Sequence, residues 1–463
     1  MKNLFWTSTQ SWAGILVQLI VTILLSRILA PSDFGFYAIN LSIIHVLMLF
    51  AELGTGQYII KEARRDHGFL SSSLGLVLLT SVFISIAGVA LCGIIALAWP
   101  NIGIDVPFFA TLAVIIVLFS IKSVSFAALQ RNHQHKKTAI AELFGLSAHV
   151  ITAYAFAVYL QTYWALALGY LAYHLVATLG CVVFHPIRPR FKNLIQKPAL
   201  EFAKTYIFLR MLDMATRTLD NIILAFSTST HSIGLYQRAT NMRNLGHTFS
   251  HSPNQQIYYP KLARAASSGK DMQVTYGKFL TSSLSYAIPV SLFGYCVAPG
   301  WTEIVFGPAW GEAAPLIQIL ALAIPFRAVE SSLDVLAKAK GLQKQIVPYR
   351  IVFAIFYITA IFLASFYALE MVAYAATTVF VLASVFSMTI SARMLETSVR
   401  TTFRFVAPYL GLFVGLVLIG HFSMKFLTQH TGAAGAGVIV APLVIALFFA
   451  LLVSLRGFNG VNK

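Results

Sequence analysis

Charged residues are scarce in this sequence. Asp, Glu, Lys and Arg make up 11% of its 463 residues, whereas a soluble globular protein carries roughly 25%. Acidic residues are the scarcest, with 16 against 33 basic residues, so that the formal net charge is +17. A soluble chain of this length needs far more polar surface, which excludes that class. The sequence has instead long apolar runs along its whole length, each about 18 residues or more, as a transmembrane helix requires.

Motifs for cofactor or metal chemistry are also missing. The sequence contains no GxxxxGK[ST] motif, which excludes nucleotide binding through a P-loop. Cys92, Cys181 and Cys296 are isolated within apolar stretches, in neither a disulfide pattern nor a metal-ligand spacing. The longest connection predicted on the extracytoplasmic side, 299–312, is too short for a catalytic domain. We therefore predict no enzyme, no cofactor and no metal site, and no nucleic-acid partner, because the cations lie in short loops.

Successive apolar runs predict an all-α polytopic membrane protein of about fourteen transmembrane helices. The first run resembles a signal peptide only loosely, because Gln18 and Thr22 interrupt it and it is too long for the apolar part of such a peptide. We interpret it as a retained helix. The predicted spans are 7–29, 34–53, 69–98, 106–129, 139–160, 163–184, 205–226, 232–252, 279–298, 313–335, 347–367, 369–392, 405–424 and 434–455.

Basic residues are confined to alternate connections between these spans. In the other connections, Lys425 is the clear cation. Because basic loops stay in the cytoplasm, the pattern predicts a protein of the cytoplasmic (inner) membrane with both termini inside the cell. An even number of spans agrees with that orientation. The basic connections are 61–67, 130–137, 185–198, 261–271, 338–344 and 392–404.

Short segments recur in the same order in the two halves of the chain. "FGFY" (34–37) is echoed by "IGLY" (233–236), and "FLSSSL" (69–74) by "FLTSSL" (279–284). The offsets of about 200 residues indicate a six-helix unit, and an even number of spans keeps both copies in one orientation, so that we expect two lobes related by a pseudo-two-fold axis. The predicted organisation is a lobe over 1–184, a basic cytoplasmic linker over 185–204, a second lobe over 205–392, and two extra helices with a cytoplasmic tail over 393–463.

The seventh predicted span carries charges on one face. On a continuous helix, Arg210, Asp213, Arg217, Asp220 and Asn221 fall within an arc of roughly 100°. At the repeat offset, Gln18 and Thr22 in the first span occupy the same register. Charges inside a membrane face a cavity or a partner, so both helices are predicted to face a shared wet space. The alternative is that the charges pair with each other and only join neighbouring helices.

Other spans add cations and polar residues to this predicted cavity. A cavity rich in guanidinium groups suits an anionic substrate, and buried carboxylates suit coupling to a proton or sodium gradient. The candidate cavity residues are Arg210, Arg217, Arg238, Lys122, Arg327, Gln18, Thr22 and Asn241. The candidate residues for ion coupling or pairing are Asp213, Asp220, Glu330 and Asp334.

Three segments resemble the polysaccharide transporters, the Wzx-like flippases of O-antigen and exopolysaccharide units. They are "LLSRILAPSDFGFYAIN" (24–40), "TRTLDNIILAFSTSTHSIGLYQRATNM" (216–242) and "FGPAWGEAAPLIQILALAIPFRA" (306–328). The resemblance implies the multidrug/oligosaccharidyl-lipid/polysaccharide exporter fold, and flipping of undecaprenyl-diphosphate-linked oligosaccharide for lipopolysaccharide or exopolysaccharide synthesis. It also implies membrane lipids, a polysaccharide polymerase and chain-length machinery as partners. Motif positions in the loops, such as Pro31, Gly35 and Gly234, are expected to be structural.

Two other functions stay open at this point. One is a cation-coupled exporter of small molecules such as drugs with the same fold, which the two extra helices disfavour, because such exporters usually have twelve. The other is a membrane glycosyltransferase or polymerase, which the short extracytoplasmic loops disfavour.

Overall fold

The computed structural model describes residues 2–61, 67–99, 103–192, 194, 197–216, 218–268 and 272–460. Every regular element within these ranges is helical, as predicted. Nine helices of the described residues are long and apolar enough to cross a membrane, or ten if one bent pair counts as a single span. The protein is therefore a multi-pass membrane protein.

The chain packs into two compact units, an N-terminal unit over Met1–Gly234 and a C-terminal unit over Leu235–Lys463. The N-terminal unit contains nine helices among its described residues, and the second unit begins within the tenth. The first nine are α1 Lys2–Ser26, α2 Pro31–Glu52, α3 Thr55–Lys61, α4 His67–Ala98, α5 Val106–Arg131, α6 His135–Leu160, α7 Trp164–Phe184, α8 Lys197–Ala215 and α9 Leu219–Ala225.

The C-terminal unit is built from the remaining helices and two short 3₁₀ turns, Pro308–Trp310 and Gln343–Ile346. Its core is lined by the apolar faces of α11, α13, α15 and α16, which pack around residues such as Phe279 and Leu284. The helices are α10 Thr230–Ser268, α11 Met272–Phe306, α12 Ala313–Ala321, α13 Ile324–Lys340, α14 Val347–Ala364, α15 Leu369–Met394 and α16 Val399–Gly460.

Helix covers each of the fourteen predicted spans, although two of them are broken. The predicted span 313–335 is divided into α12 and α13, which meet at 48°, with Pro325 at the start of α13. Proline lacks a backbone donor and fits only the first turn of a helix, so a new helix begins there. Spans 405–424 and 434–455 both lie in α16, which is interrupted at Gly432 with a φ of 73°.

The seventh predicted span, 205–226, is also not one helix, which corrects the sequence interpretation. α8 ends at Ala215, and α9 begins at Leu219. Within the break, the Thr216 hydroxyl donates to the Asp213 carbonyl at 3.2 Å, and the Thr218 amide donates to the Met214 carbonyl at 2.9 Å. Thr216 and Thr218 are β-branched and have a low helix propensity, which favours a break at this place. Arg217 lies outside the described residues.

Large apolar side chains cover much of the outer surface of both units. Leu97 is 85% exposed, Tyr159 84% and Phe422 67%, values that a soluble protein does not sustain over a wide area. Small residues such as Ala153 and Gly169 instead lie at the contact between α6 and α7, where a methyl group added to Gly169 would lie 2.5 Å from the Ala153 side chain. Apolar surfaces with small residues at helix contacts are typical of membrane bundles.

The sequence also contains a GxxxG pattern at Gly411 and Gly415, of the kind that predicts close packing of membrane helices, but in the structure these glycines make no such contact with the described part of the chain. Both glycines are exposed, and no described atom outside their own helix lies within 4 Å of a methyl group added at either. The C-terminal helices pack instead through Gly437, whose added methyl group would lie 2.7 Å from the Cys296 carbonyl oxygen on α11.

Candidate functional site

The two glycines of the repeated "FGFY" and "IGLY" segments lie at one helix crossing in the N-terminal unit. A methyl group added to Gly35 on α2 would lie 1.8 Å from the Thr230 carbonyl oxygen, and one added to Gly234 would lie 1.8 Å from the Pro31 carbonyl oxygen. Only glycine permits this approach of two backbones. The two repeated segments therefore contact each other where α2 crosses the first turn of α10, and their glycines have a packing role.

The predicted charged stripe divides where α8 ends. On α8, the Arg210 guanidinium lies 3.3 Å from the Asp213 carboxylate and donates to the Tyr206 hydroxyl at 3.3 Å, and Arg210 is exposed. On α9, Asp220 and Asn221 are buried at 4% and 5% exposure. The Asn221 amide donates to the Ser42 hydroxyl of α2 at 3.0 Å. The two halves of the stripe thus have different surroundings, one exposed and one packed on α2.

The polar residues of α1 follow the predicted register only in part. Gln18 is exposed and Thr22 is half-buried. Ser26, one turn further, is buried at 4% exposure, and its hydroxyl donates to the Thr22 carbonyl oxygen. Gln18 is therefore the residue of this stripe that is open to a ligand in the described conformation.

Lys122 lies in a buried ion pair within the N-terminal unit. Its ammonium group on α5 lies 3.0 Å from a Glu142 carboxylate oxygen on α6, and both residues are 7% exposed. The Tyr173 hydroxyl of α7 donates to the other carboxylate oxygen at 2.5 Å. Burial makes such a pair sensitive to the loss of either partner. Lys122 therefore stabilises the packing of α5, α6 and α7, whether or not it also meets a ligand.

Three buried guanidinium groups lie in the C-terminal unit, two of them on α10. The Arg238 guanidinium lies 4.3 Å from the Trp310 ring centre and 4.8 Å from that of Phe306. The Arg243 and Arg327 guanidiniums both face the Phe380 ring, at 5.2 and 5.4 Å. Aromatic faces attract cations more strongly when water is excluded. The ring contacts therefore help to hold these three guanidinium groups in fixed positions.

Polar side chains of α10 and α13 continue from these arginines. Arg327 donates to the Asn244 side-chain carbonyl, and Ser331 lies 3.0 Å from the His247 ring. Asn241, one turn before, accepts a hydrogen bond from Gln237 at 3.0 Å. Of the predicted cavity residues, the structure therefore places Arg238, Arg327 and Asn241 on these two helices of one unit.

Carboxylates are fewer than cations in the interior of this unit. Glu330 is 7% exposed, with the Tyr349 hydroxyl 3.5 Å from its carboxylate. Asp334 is half-buried and forms a bidentate pair with Arg350 on α14. Among the described residues of the unit, three arginines and one glutamate are buried. Guanidinium groups bind anions such as phosphate in bidentate geometry, so three of them on two neighbouring helices suit an anionic ligand.

Several residues of these clusters were absent from the sequence prediction. Glu142, Tyr173 and Arg350 lie on helices different from those of their partners, and no periodicity within one helix relates them. The rings that face the arginines, Trp310 and Phe380, read as ordinary apolar residues in the sequence. A search for opposite charges on neighbouring predicted spans would have found Lys122 with Glu142 and Asp334 with Arg350.

The helices and buried charges described above define a multi-pass helical membrane protein. The family described as "Polysaccharide biosynthesis protein" matches residues 24–315, more than half of the chain. The chain therefore belongs to the polysaccharide biosynthesis family, as the motifs in its sequence predicted.

Two curated relatives agree with this assignment. The chain is 22% identical over 365 residues to the lipopolysaccharide biosynthesis protein WzxC of Escherichia coli (strain K12), covering 72% of this chain and 70% of the relative. It is also 22% identical over 376 residues to an uncharacterized membrane protein in the cps region of Klebsiella pneumoniae, covering 79% and 76%.

Solved structures show the same fold at low identity. The inward closed conformation of the lipid II flippase MurJ has a TM-score of 0.75 at 13% identity, covering 96% of this chain and 98% of that one. An inward-facing multidrug resistance MATE family transporter has a TM-score of 0.68 at 13% identity, covering 83% and 96%. The fold predicted from the sequence resemblance is thus confirmed.

Proposed function

We propose that this protein is a flippase that moves undecaprenyl-diphosphate-linked oligosaccharide repeat units from the cytoplasmic to the outer leaflet of the inner membrane. The units would serve lipopolysaccharide or exopolysaccharide synthesis. The observation that carries the proposal is the excess of buried guanidinium groups in the C-terminal unit, in a chain of the polysaccharide biosynthesis family. Membership of the family and the fold of a lipid-linked substrate flippase support it.

The proposed chemistry is recognition without bond making or breaking. A diphosphate carries negative charge that guanidinium groups bind in bidentate geometry. Arg238 and Arg327 are the leading candidates, with Arg210, Arg217, Lys122, Gln18, Thr22 and Asn241 as further predicted contacts. The lipid tail stays in the bilayer, and alternating access re-exposes the sugar on the outer side. A site for a charged group in the membrane offsets the cost of moving that group through hydrocarbon.

The energy source that we propose is a proton or sodium gradient. The candidate ion-binding carboxylates are Asp213, Asp220, Glu330 and Asp334, of which Asp220 and Glu330 are the buried ones. In the proposed orientation both termini are cytoplasmic, and the polymerase and chain-length machinery act on the flipped unit on the other side. No cofactor is needed for this cycle.

The test is transport by variants of the buried arginines. Arg238→Gln and Arg327→Gln should lower the amount of lipid-linked unit that reaches the outer leaflet by about tenfold or more, because a hydrogen bond to a charged group contributes roughly 1.5–3 kcal/mol. Arg264→Gln is the matched control, because Arg264 is exposed on the same helix α10. Normal transport by both buried variants at wild-type protein level would refute the site. The predicted residues Arg210 and Arg217 are tested by alanine variants in the same assay.

A further inference from the structure

The segment after α7 has no regular secondary structure, yet it is fixed against α4. We call residues 185–192 the basic strap. The backbone amide of Arg190 donates to the Ser71 carbonyl oxygen at 2.9 Å, and the Ser72 hydroxyl donates to the Lys192 carbonyl oxygen at 3.1 Å. Both contacts are made by the first turns of α4. The first part of the segment that the sequence predicts to be a linker is therefore packed against the N-terminal unit.

Gly75 on α4 is what allows the strap to lie so close. A methyl group added there would lie 2.3 Å from the Arg190 carbonyl oxygen, well inside van der Waals contact. Ile187 of the strap packs on the apolar cluster around Tyr58 and Phe69. Pro186 and Pro189 restrict their own φ angles and keep the preceding residue extended. The strap is thus held in one conformation by backbone contacts, apolar packing and proline.

The backbone of the strap faces the protein, while its cations face outwards. The side chains of Arg188, Arg190 and Lys192 are exposed, and every second residue of this stretch is basic. Phe191 is 57% exposed among them. The sequence from 185 to 198 contains no acidic residue. A rigid row of cations with an exposed phenyl ring is complementary to a membrane surface, where anionic headgroups lie above the apolar acyl chains.

The position of the strap places it at the edge of the membrane. It directly follows α7, and it contacts the start of α4; both helices are candidate membrane spans. Basic segments next to a span attract anionic lipids over roughly one Debye length. We propose that the basic strap is a docking surface for the headgroups of anionic phospholipids. This inference does not depend on the transported substrate.

The experiment measures binding of phosphatidylglycerol to the purified full-length protein in a neutral detergent, by native mass spectrometry. The triple variant Arg188→Gln/Arg190→Gln/Lys192→Gln is expected to bind this lipid between about tenfold and a hundredfold more weakly, since each cation near a membrane surface contributes roughly 1 kcal/mol. Arg393→Gln/Arg400→Gln/Arg404→Gln is the matched control, because these residues are equally basic and exposed in another connection. It should bind nearly as well as wild type.

A second variant separates geometry from net charge. Gly75→Leu keeps every cation but displaces Arg190, so we expect at least threefold weaker lipid binding at a temperature where thermal unfolding shows the variant to be folded. The proposal is overturned if the strap variant binds like wild type, or if the control triple variant loses as much affinity. It is also overturned if inorganic phosphate competes fully with the lipid at equal concentration, which would indicate a simple anion site.

Discussion

At the scale of single residues, two buried cations have different neighbours. Lys122 has a carboxylate and a tyrosine hydroxyl within hydrogen-bond distance, whereas the Arg238 guanidinium lies over two aromatic rings. A buried carboxylate that loses its cation, or the reverse, destabilises the fold, so the Lys122 pair is the one whose removal is expected to change stability most.

Removing the carboxylate of the buried pair should destabilise the protein. Glu142→Gln leaves the Lys122 ammonium buried without its counter-charge, which costs about 3–5 kcal/mol. The double variant Lys122→Met/Glu142→Gln should recover most of this loss, because no charge is then buried. Thermal unfolding of the purified protein measures both. Asp213→Asn is the control, because its pair with Arg210 is partly exposed and contributes roughly 0–1 kcal/mol; equal loss in both single variants would contradict the argument.

The glycine crossing gives a second prediction at this scale. Gly35→Ala introduces a methyl group 1.8 Å from a backbone oxygen, so α2 and the start of α10 must separate, at a cost of about 1–3 kcal/mol. Gly415→Ala adds the same methyl group where no atom lies within 4 Å. A lower unfolding midpoint for the first variant, and an unchanged one for the second, is expected. Equal midpoints would show that the crossing tolerates a side chain.

At the scale of helices, the sequence predicted where the helices lie along the chain, but not where they are interrupted. Helices lie at all fourteen predicted positions, and nine of the described helices, or ten with the bent pair, are long and apolar enough to span a membrane. The division of the seventh span lies between Ala215 and Leu219, beside two threonines of low helix propensity, and such a local preference has no hydrophobic signature. The partners of the charged residues, such as Glu142 for Lys122, were not predicted either, because a contact between two helices leaves no periodic pattern in the sequence of one helix. The cations themselves were predictable, since charges in apolar runs are rare.

The break in α16 can be tested by its backbone geometry. Gly432 has a φ of 73° and a ψ of 167°, a backbone conformation essentially confined to glycine, where a side chain costs roughly 1–3 kcal/mol. Gly432→Ala should therefore lower the unfolding midpoint. Gly411→Ala, in an exposed helical position of the same element, should leave it unchanged or raise it, because alanine favours helix over glycine by about 1 kcal/mol. A higher midpoint for Gly432→Ala would mean that the two halves join as one helix.

At the scale of the whole molecule, large apolar residues lie on the outer surface, and several charged residues are buried. Exposed apolar residues allow the chain to remain in the bilayer, while charged groups are buried inside the units, away from hydrocarbon. The sequence repeat predicts that the second lobe begins at residue 205. The first compact unit of the structure extends to Gly234 and therefore includes α8 and α9.

Deletion of the gene distinguishes the proposed function from the alternatives. A strain without this protein should lose surface polysaccharide and accumulate single lipid-linked units on the cytoplasmic face, with unchanged sensitivity to drugs and dyes. Immunoblots of the polymer, together with the accessibility of lipid-linked sugars to an external lectin, measure the outcome. Increased drug sensitivity with normal polymer would favour a small-molecule exporter, and units that are already outside but unpolymerised would favour a polymerase.

The docking of Thr230 and Gly234 on α2 has a consequence for biosynthesis. The packing of the N-terminal unit is completed by Thr230 and Gly234, which belong to the second copy of the sequence repeat. A ribosome that has delivered only the first six spans has therefore not yet produced a finished half-protein, since α2 still lacks the partners that cover it. The surface of α2 at Pro31 and Gly35 therefore lacks these contacts until residue 234 has been synthesised, so we expect the N-terminal unit to complete its packing only after the second copy has begun.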